Sequence, residues 1–199
     1  MTLDPLTSVV MLATTPERRR LETAESFCLA VEGLASVIGL VRLHPSEGLS
    51  TYAEIAKRHP RVRFTTNSES SLDESLAAAD IVVVSISGLG SDALIKRKPV
   101  VVLSEESAQS GHDWDLVEQA GCPRAQTPGE LAHVLSRMLS DKAFREQSQC
   151  RAESYVAQLC GAFGQESARQ IATFAREQVE RSSMAGVKRT GSLTEVSNG

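Results

Sequence analysis

Apolar residues in this chain fall into short uniform runs, separated by stretches in which they recur at helical spacing. Ser8–Ala13 (SVVMLA), Val37–Leu43, Val62–Thr65, Ile81–Val84 and Val100–Leu103 each predict a strand. Between the first two, Leu21, Ala24, Phe27, Cys28, Val31 and Leu34 share one helical face, so Glu17–Ala35 reads as a helix. Thr14-Thr15-Pro16 makes the turn before it, with Pro at the helix start. Ser46–Lys57 reads as a helix capped by Ser46 or Ser50. Leu72–Ala79 reads as a helix after the polar loop Asn67–Ser71, and a short helix begins at about Ser91. A loop, Ser104–His112, precedes a helix around Trp114–Gln119 that Gly121 ends, and a weak strand follows near Pro123–Gln126.

The remainder is helical. Leu131, Val134, Leu135 and Met138 form one stripe; Tyr155, Leu159, Phe163, Ala168, Ile171, Ala172, Ala175 and Val179 form another, interrupted at Gly161 and Gly164. Residues 182–199 lack periodicity and predict a disordered tail. Strands that alternate with helices and are apolar throughout predict a parallel sheet covered on both faces. The expectation is therefore an α/β chain: a Rossmann-like three-layer αβα domain over residues 1–181 with C-terminal helices.

Charge and composition narrow the function classes. A net charge of −4, no basic stripe, and only one Trp, two Tyr and five Phe give nucleic acid nothing to bind. Arg18-Arg19-Arg20 and Lys96-Arg97-Lys98 read as solvated helix surface; an anionic ligand or membrane near the second cluster is the other reading. Cys28, Cys122, Cys150 and Cys160 show neither C-x-x-C nor zinc spacing, which fits a reducing cytoplasm. No apolar run reaches the length of a membrane span, so work at a membrane would need a partner or a peripheral surface, at the inner face.

The segment richest in chemistry is Asp80–Leu103, DIVVVSISGLGSDALIKRKPVVVL. A strand runs into a turn holding Ser85, Ser87, Gly88 and Gly90, and then into a helix. Such a turn can bring backbone amides and a helix N-terminus to a phosphate. It can equally exist to make the turn alone. His44-Pro45 closes the second strand, where Pro45 holds His44 extended. In parallel sheets ligands bind at the C-terminal strand edges beside a topological switch point, and both segments fall at such edges.

With strand-HP and strand-S-x-S-G together, the chain resembles the C-terminal, donor-binding half of a GT-B glycosyltransferase. It looks in particular like the capsular-polysaccharide group, relatives of the sialyl- and Kdo-transferases and of the CDP-glycerol polymer synthases. RLHPSEGLSTYAEIAKRHPRVRF resembles their "HP…Y" segment, and SLDESLAAADIVVVSISGLGSDALIKRKPVVVL their acid-strand-Ser/Gly segment. The resemblance covers about Ser8–Leu139. It implies that His44 is the catalytic contact to the donor phosphate with Pro45 fixing its backbone, that Ser85, Ser87, Gly88 and Gly90 hold phosphate oxygens, and that Asp92 meets the ribose. The implied ligand is a CMP-, CDP- or UDP-linked sugar, transferred to a glycan acceptor with neither metal nor other cofactor. The chain departs from the pattern where Leu89 separates Gly88 from Gly90 and where Val84 and Ile86 replace an acid. Only one of the two GT-B domains fits, which leaves a fragment, a chain completed by a partner domain or subunit, or a module without catalysis.

Other polar residues have plainer readings. His59 suits a helix C-terminus, His133 a surface, and Asp73-Glu74 the N-terminal charge of a helix. His112 and Asp113 could meet a base or sugar, or Asp113 could cap a helix, while Trp114 reads as a core anchor. Glu105-Glu106 reads as a solvated loop pair, or as a pair after a strand that could reach the sugar. No D-x-D or H-E-x-x-H occurs, and Ser87 lacks a G-x-S-x-G context. The competing functions are a donor-binding domain of a glycosyltransferase, a non-enzymatic scaffold of the same fold, and half of a sugar-nucleotide epimerase.

Overall fold

The structure is a computed structural model that describes residues 7–85, 87–104, 115–160, 168–169 and 171–176. The chain divides into two compact units, 1–156 and 157–199. The first holds a six-stranded, all-parallel sheet made of β1 (Ser8–Ala13), β2 (Val37–Arg42), β3 (Val62–Thr65), β4 (Ile81–Val84), β5 (Val100–Leu103) and β6 (Arg124–Ala125). Their order across the sheet is β3-β2-β1-β4-β5-β6. That order defines the doubly wound, Rossmann-like arrangement, whose direction of winding reverses between β1 and β4.

Helices α1 (Arg20–Glu32), α2 (Ala53–Arg58), α3 (Leu72–Ala78), α4 (Leu89–Ile95), α5 (Pro128–Ser140) and α6 (Lys142–Cys160) complete the layers. Alternate strand residues feed two separate cores. Val10, Leu12, Ile81, Val83, Val101 and Leu103 pack with Phe27 and Val31 of α1 and Leu131 and Leu135 of α5. Met11, Ala13, Val82, Val84, Val100 and Val102 pack with Leu76 of α3 and Ala93 and Leu94 of α4. A strand buried on both faces has no polar phase, which explains the uniform runs IVVV and VVVL. Gly39 of β2 is needed for close approach: a Cβ there would lie 2.8 Å from Val62 Cγ2 and 3.2 Å from Phe27 Cε1.

Several boundaries differ from the sequence expectation. Residues 17–19 form a turn, so α1 begins at Arg20 rather than beside Pro16. The expected helix at Ser46 starts as a 3-10 turn, Leu49–Tyr52, with Gly48 before it and no side-chain cap, because residues 44–47 form a separate turn. α4 begins at Leu89, two residues early. Asp115–Gln119 is a single wide π-type turn rather than an α-helix. α3 opens on a capping box in which the Ser71 hydroxyl accepts from the Glu74 amide and the Glu74 carboxylate accepts from the Ser71 amide. This is the N-terminal charge expected of Asp73-Glu74.

In the second unit, residues 168–169 and 171–176 are helical, with Ile171 and Phe174 exposed. The expected tail 182–199 and residues 105–106, 112–114 and 163 lie outside the described residues. Among the described residues no helix is long and apolar enough to cross a membrane.

Candidate functional site

A cleft of about 340 Å³ opens at the C-terminal edge of the sheet. Its walls come from the ends of β1 and β2 (Ala13, Thr14, Arg42, Leu43, His44, Pro45), from Asn67 and Leu72 after β3, and from Ser87 and Leu89 after β4. It therefore straddles the switch point between β1 and β4, where open α/β sheets hold their ligands. His44 and Ser87, 43 residues apart in sequence, face one space because β2 and β4 flank β1.

The β2 side is built as a turn. The His44 carbonyl accepts from the Glu47 amide at 2.8 Å, and Pro45 sits at the second turn position, where its fixed φ is favoured. Ser46 closes back on the imidazole: its amide donates to His44 Nδ1 at 3.2 Å, and its Oγ lies 2.8 Å from the same nitrogen. Thr14 Oγ1 accepts the His44 amide at 2.9 Å and donates to the Glu47 carboxylate.

Glu47 is the hub under this turn. Its side chain is 4% exposed, accepts the Tyr52 hydroxyl at 2.7 Å, and lies 3.4 Å from Arg20 Nε. Burial first, and the hydrogen bond to Glu47 second, push the Tyr52 phenol well above its ordinary range, so Tyr52 remains a donor. Arg42, 4% exposed at the end of β2, donates to the carbonyls of Thr66 and Ser70 at 2.7 Å each and to Asn67 Oδ1. Burial draws this guanidinium below its usual range, and its hydrogen-bond partners here are uncharged. The Arg42 guanidinium thus lines the cleft, with the carboxylates of Glu69 and Glu74 close enough to act on it and that of Glu47 beneath the adjoining turn.

The β4 side serves structure as much as ligand. Ser87 Oγ accepts the Leu89 amide at 3.3 Å, a local hydroxyl turn just before α4, whose N-cap is Gly88. Gly88 is exposed, and a Cβ there would meet nothing within 4 Å, so the space above the helix start is open. Ser85 is buried and Asp92 exposed, and neither lines the cleft. Gly90 is buried inside α4, where a Cβ would stand 2.5 Å from Leu116 Cδ1; its glycine serves close packing. The cleft thus brings together His44, Pro45 and Ser87 of the expected set.

Thr14, Arg42, Glu47, Tyr52 and Asn67 escaped the sequence reading. Tyr52 lay within the quoted "HP…Y" segment, and a charged residue ending an apolar strand was the available signal for Arg42. Of the basic clusters, Arg20 belongs to the site through Glu47. Lys96-Arg97-Lys98 sits at the opposite end of the sheet, where Lys98 Nζ caps the carbonyls of Ala77 and Ala79. His59 is a buried α2 C-cap between Glu25 and Glu32, and His133 is exposed. Among the described residues no group of three His, Cys, Asp or Glu side chains is arranged to hold a metal ion.

Comparison with known proteins returns the fold. No family model matches the sequence, and no curated protein does. Among solved structures, the wall teichoic acid polymerase TagF soaked with CDPG superposes with a TM-score of 0.62 at 16% identity, over 90% of this chain and 43% of that one. The C-terminal CMP-Kdo binding domain of WaaA from Acinetobacter baumannii gives 0.57 at 14% identity, over 76% of this chain and 90% of that domain. MnaA from S. aureus, in its structure with UDP, gives 0.55 at 13%, over 72% and 40%. The chain spans less than half the length of TagF and of MnaA, and nearly all of the separate WaaA domain. These likenesses establish the Rossmann-like α/β fold.

Proposed function

We propose that this chain is the nucleotide-sugar donor-binding domain of a GT-B glycosyltransferase, whose acceptor half comes from another domain or subunit. The observation that carries this reading is the convergence of His44 and Ser87 on one cleft at the switch point, over the Arg42 guanidinium. An imidazole N–H, a hydroxyl and a buried positive charge are the groups that stabilise a departing phosphate. The sequence resemblance favours CMP linked to an acidic sugar such as Kdo or sialic acid, in capsule or surface polysaccharide synthesis at the inner face of a membrane. Three neighbours of this fold are described with CDPG, CMP-Kdo or UDP, which supports a pyrimidine nucleotide.

A second reading is a glycosyltransferase-like scaffold with a degenerate pocket. It draws on Ser87 being occupied with the Leu89 amide and on Ser85, Gly90 and Asp92 standing apart from the cleft. Calorimetric titration of CMP, CDP and UDP, paired with thermal melting, separates the two. A ligand at about 100 times its Kd adds about 2.7 kcal/mol to the folded state. The donor-domain reading expects saturable binding and a raised Tm for at least one nucleotide. A flat titration and an unchanged Tm for all three at millimolar concentration leave the scaffold.

A further inference from the structure

The turn at residues 44–47 determines which ring nitrogen of His44 carries the proton. An amide N–H can only donate, so the 3.2 Å contact from Ser46 N–H requires a lone pair on Nδ1. The neutral ring then holds its hydrogen on Nε2. Every other polar group of His44 is fixed as well: its N–H on Thr14 Oγ1 and its C=O on the Glu47 N–H. Glu47 anchors the far end of the turn through Thr14 and Tyr52. Among the described residues nothing is bonded to Nε2, on a ring that lines the cleft. Thr14 just after β1, the turn and the following 3-10 segment thus converge to leave a single free N–H.

We propose that Ser46 is a positioning residue that holds His44 as the Nε2–H tautomer, so that His44 meets its ligand as a hydrogen-bond donor to a phosphate oxygen and not as a base. The ligand named rests on the proposed function; the tautomer rests on the turn. One consequence is that proton abstraction from an acceptor hydroxyl falls to a group outside this turn. A second is that Pro45 acts through geometry, by bringing the Ser46 amide to the Nδ1 edge of the ring.

The full chain, labelled with 15N, tests this in two arms. Ring 15N shifts recorded above the ordinary histidine range should show His44 with a protonated Nε2 and a bare Nδ1. A protonated Nδ1 overturns the proposal. Ser46→Ala removes the hydroxyl but keeps the amide, so the ring should stay protonated at Nε2; a proton that moves to Nδ1 in that variant means the Ser46 amide does not set it. The second arm titrates CMP into His44→Gln, His44→Asn and His44→Ala. A Gln amide reaches the place of Nε2–H, whereas an Asn amide reaches only that of Nδ1. Gln should hold affinity within a few-fold, while Asn and Ala lose about 10- to 100-fold, the range for a hydrogen bond to a charged group. Asn outperforming Gln overturns the proposal. If wild-type protein binds no CMP, CDP or UDP, the proposed function fails together with the ligand named here, and the ring shifts still decide the tautomer.

Discussion

Raising the pH should weaken this fold through one residue, His59. Its imidazole is 5% exposed and lies between two carboxylates of α1, with Nδ1 2.8 Å from Glu32 and Nε2 3.1 Å from Glu25. Arg58 holds the other oxygen of Glu25 at 2.7 Å. With an acceptor at each nitrogen, the ring is best satisfied as an imidazolium. Burial alone lowers its pKa, but the hydrogen bonds to Glu32 and Glu25, with the field of both carboxylates, outweigh that and raise it. Cys28 also faces the pair, and burial, then Glu25 and Glu32, push its thiol up to about 12, so it stays neutral throughout.

A pKa raised by folding contributes stability that is complete below the unfolded value of about 6.5 and is lost as pH rises through the folded value. A charge-assisted hydrogen bond contributes about 1.5–3 kcal/mol when dry. Glu25 and Glu32 are about one-third exposed, so solvent screening takes roughly half of that, leaving about 2 kcal/mol for the pair. Urea unfolding of wild type and His59→Gln should differ by that amount at about pH 5.5, or about 1 M in midpoint, and by much less at about pH 9. A difference that is constant across this range, or larger at the alkaline end, refutes the reasoning.

Gly90→Ala gains about 1 kcal/mol of helix propensity but drives a methyl into Leu116, and overpacking costs about 1–3 kcal/mol. A lower Tm is expected, and an equal or higher one means Leu116 yields freely. Ser71→Ala removes the α3 capping box and should cost about 1 kcal/mol in urea unfolding. Tyr52→Phe takes one donor from the buried Glu47 carboxylate and should cost about 1–3 kcal/mol; an unchanged midpoint would mean water replaces it. Arg42→Gln should leave the strands in place yet weaken CMP binding about 10-fold, with an unchanged Kd excluding the guanidinium from anion binding.

The strands were legible because burial on both faces leaves a signal in every residue, as in IVVV. Helix starts were less so. Ser46 has the composition of a cap, yet the His44 ring uses its hydroxyl, and α4 starts early because Gly90 fits against Leu116, 26 residues on. The position of the cleft followed from strand order, but its floor did not. Glu47 looks like a solvent residue until Tyr52, Thr14 and Arg20 close over it, and Arg42 gains its meaning only from the loop it suspends. His59 was correctly placed at a helix end, while its carboxylates lie 27 and 34 residues away.

The most sticky segments of the molecule, IVVV and VVVL, occupy the middle of the sheet, and its margins are only four and two residues long. Asp80 precedes one of these runs and holds the Val9 amide, while Lys96-Arg97-Lys98-Pro99 precedes the other. Charges and a proline so placed act as gatekeepers against intermolecular stacking while the chain is incompletely folded. Short outer strands leave little backbone on which a second protein could zip. A partner would then meet side chains of helices and loops, not a free strand edge.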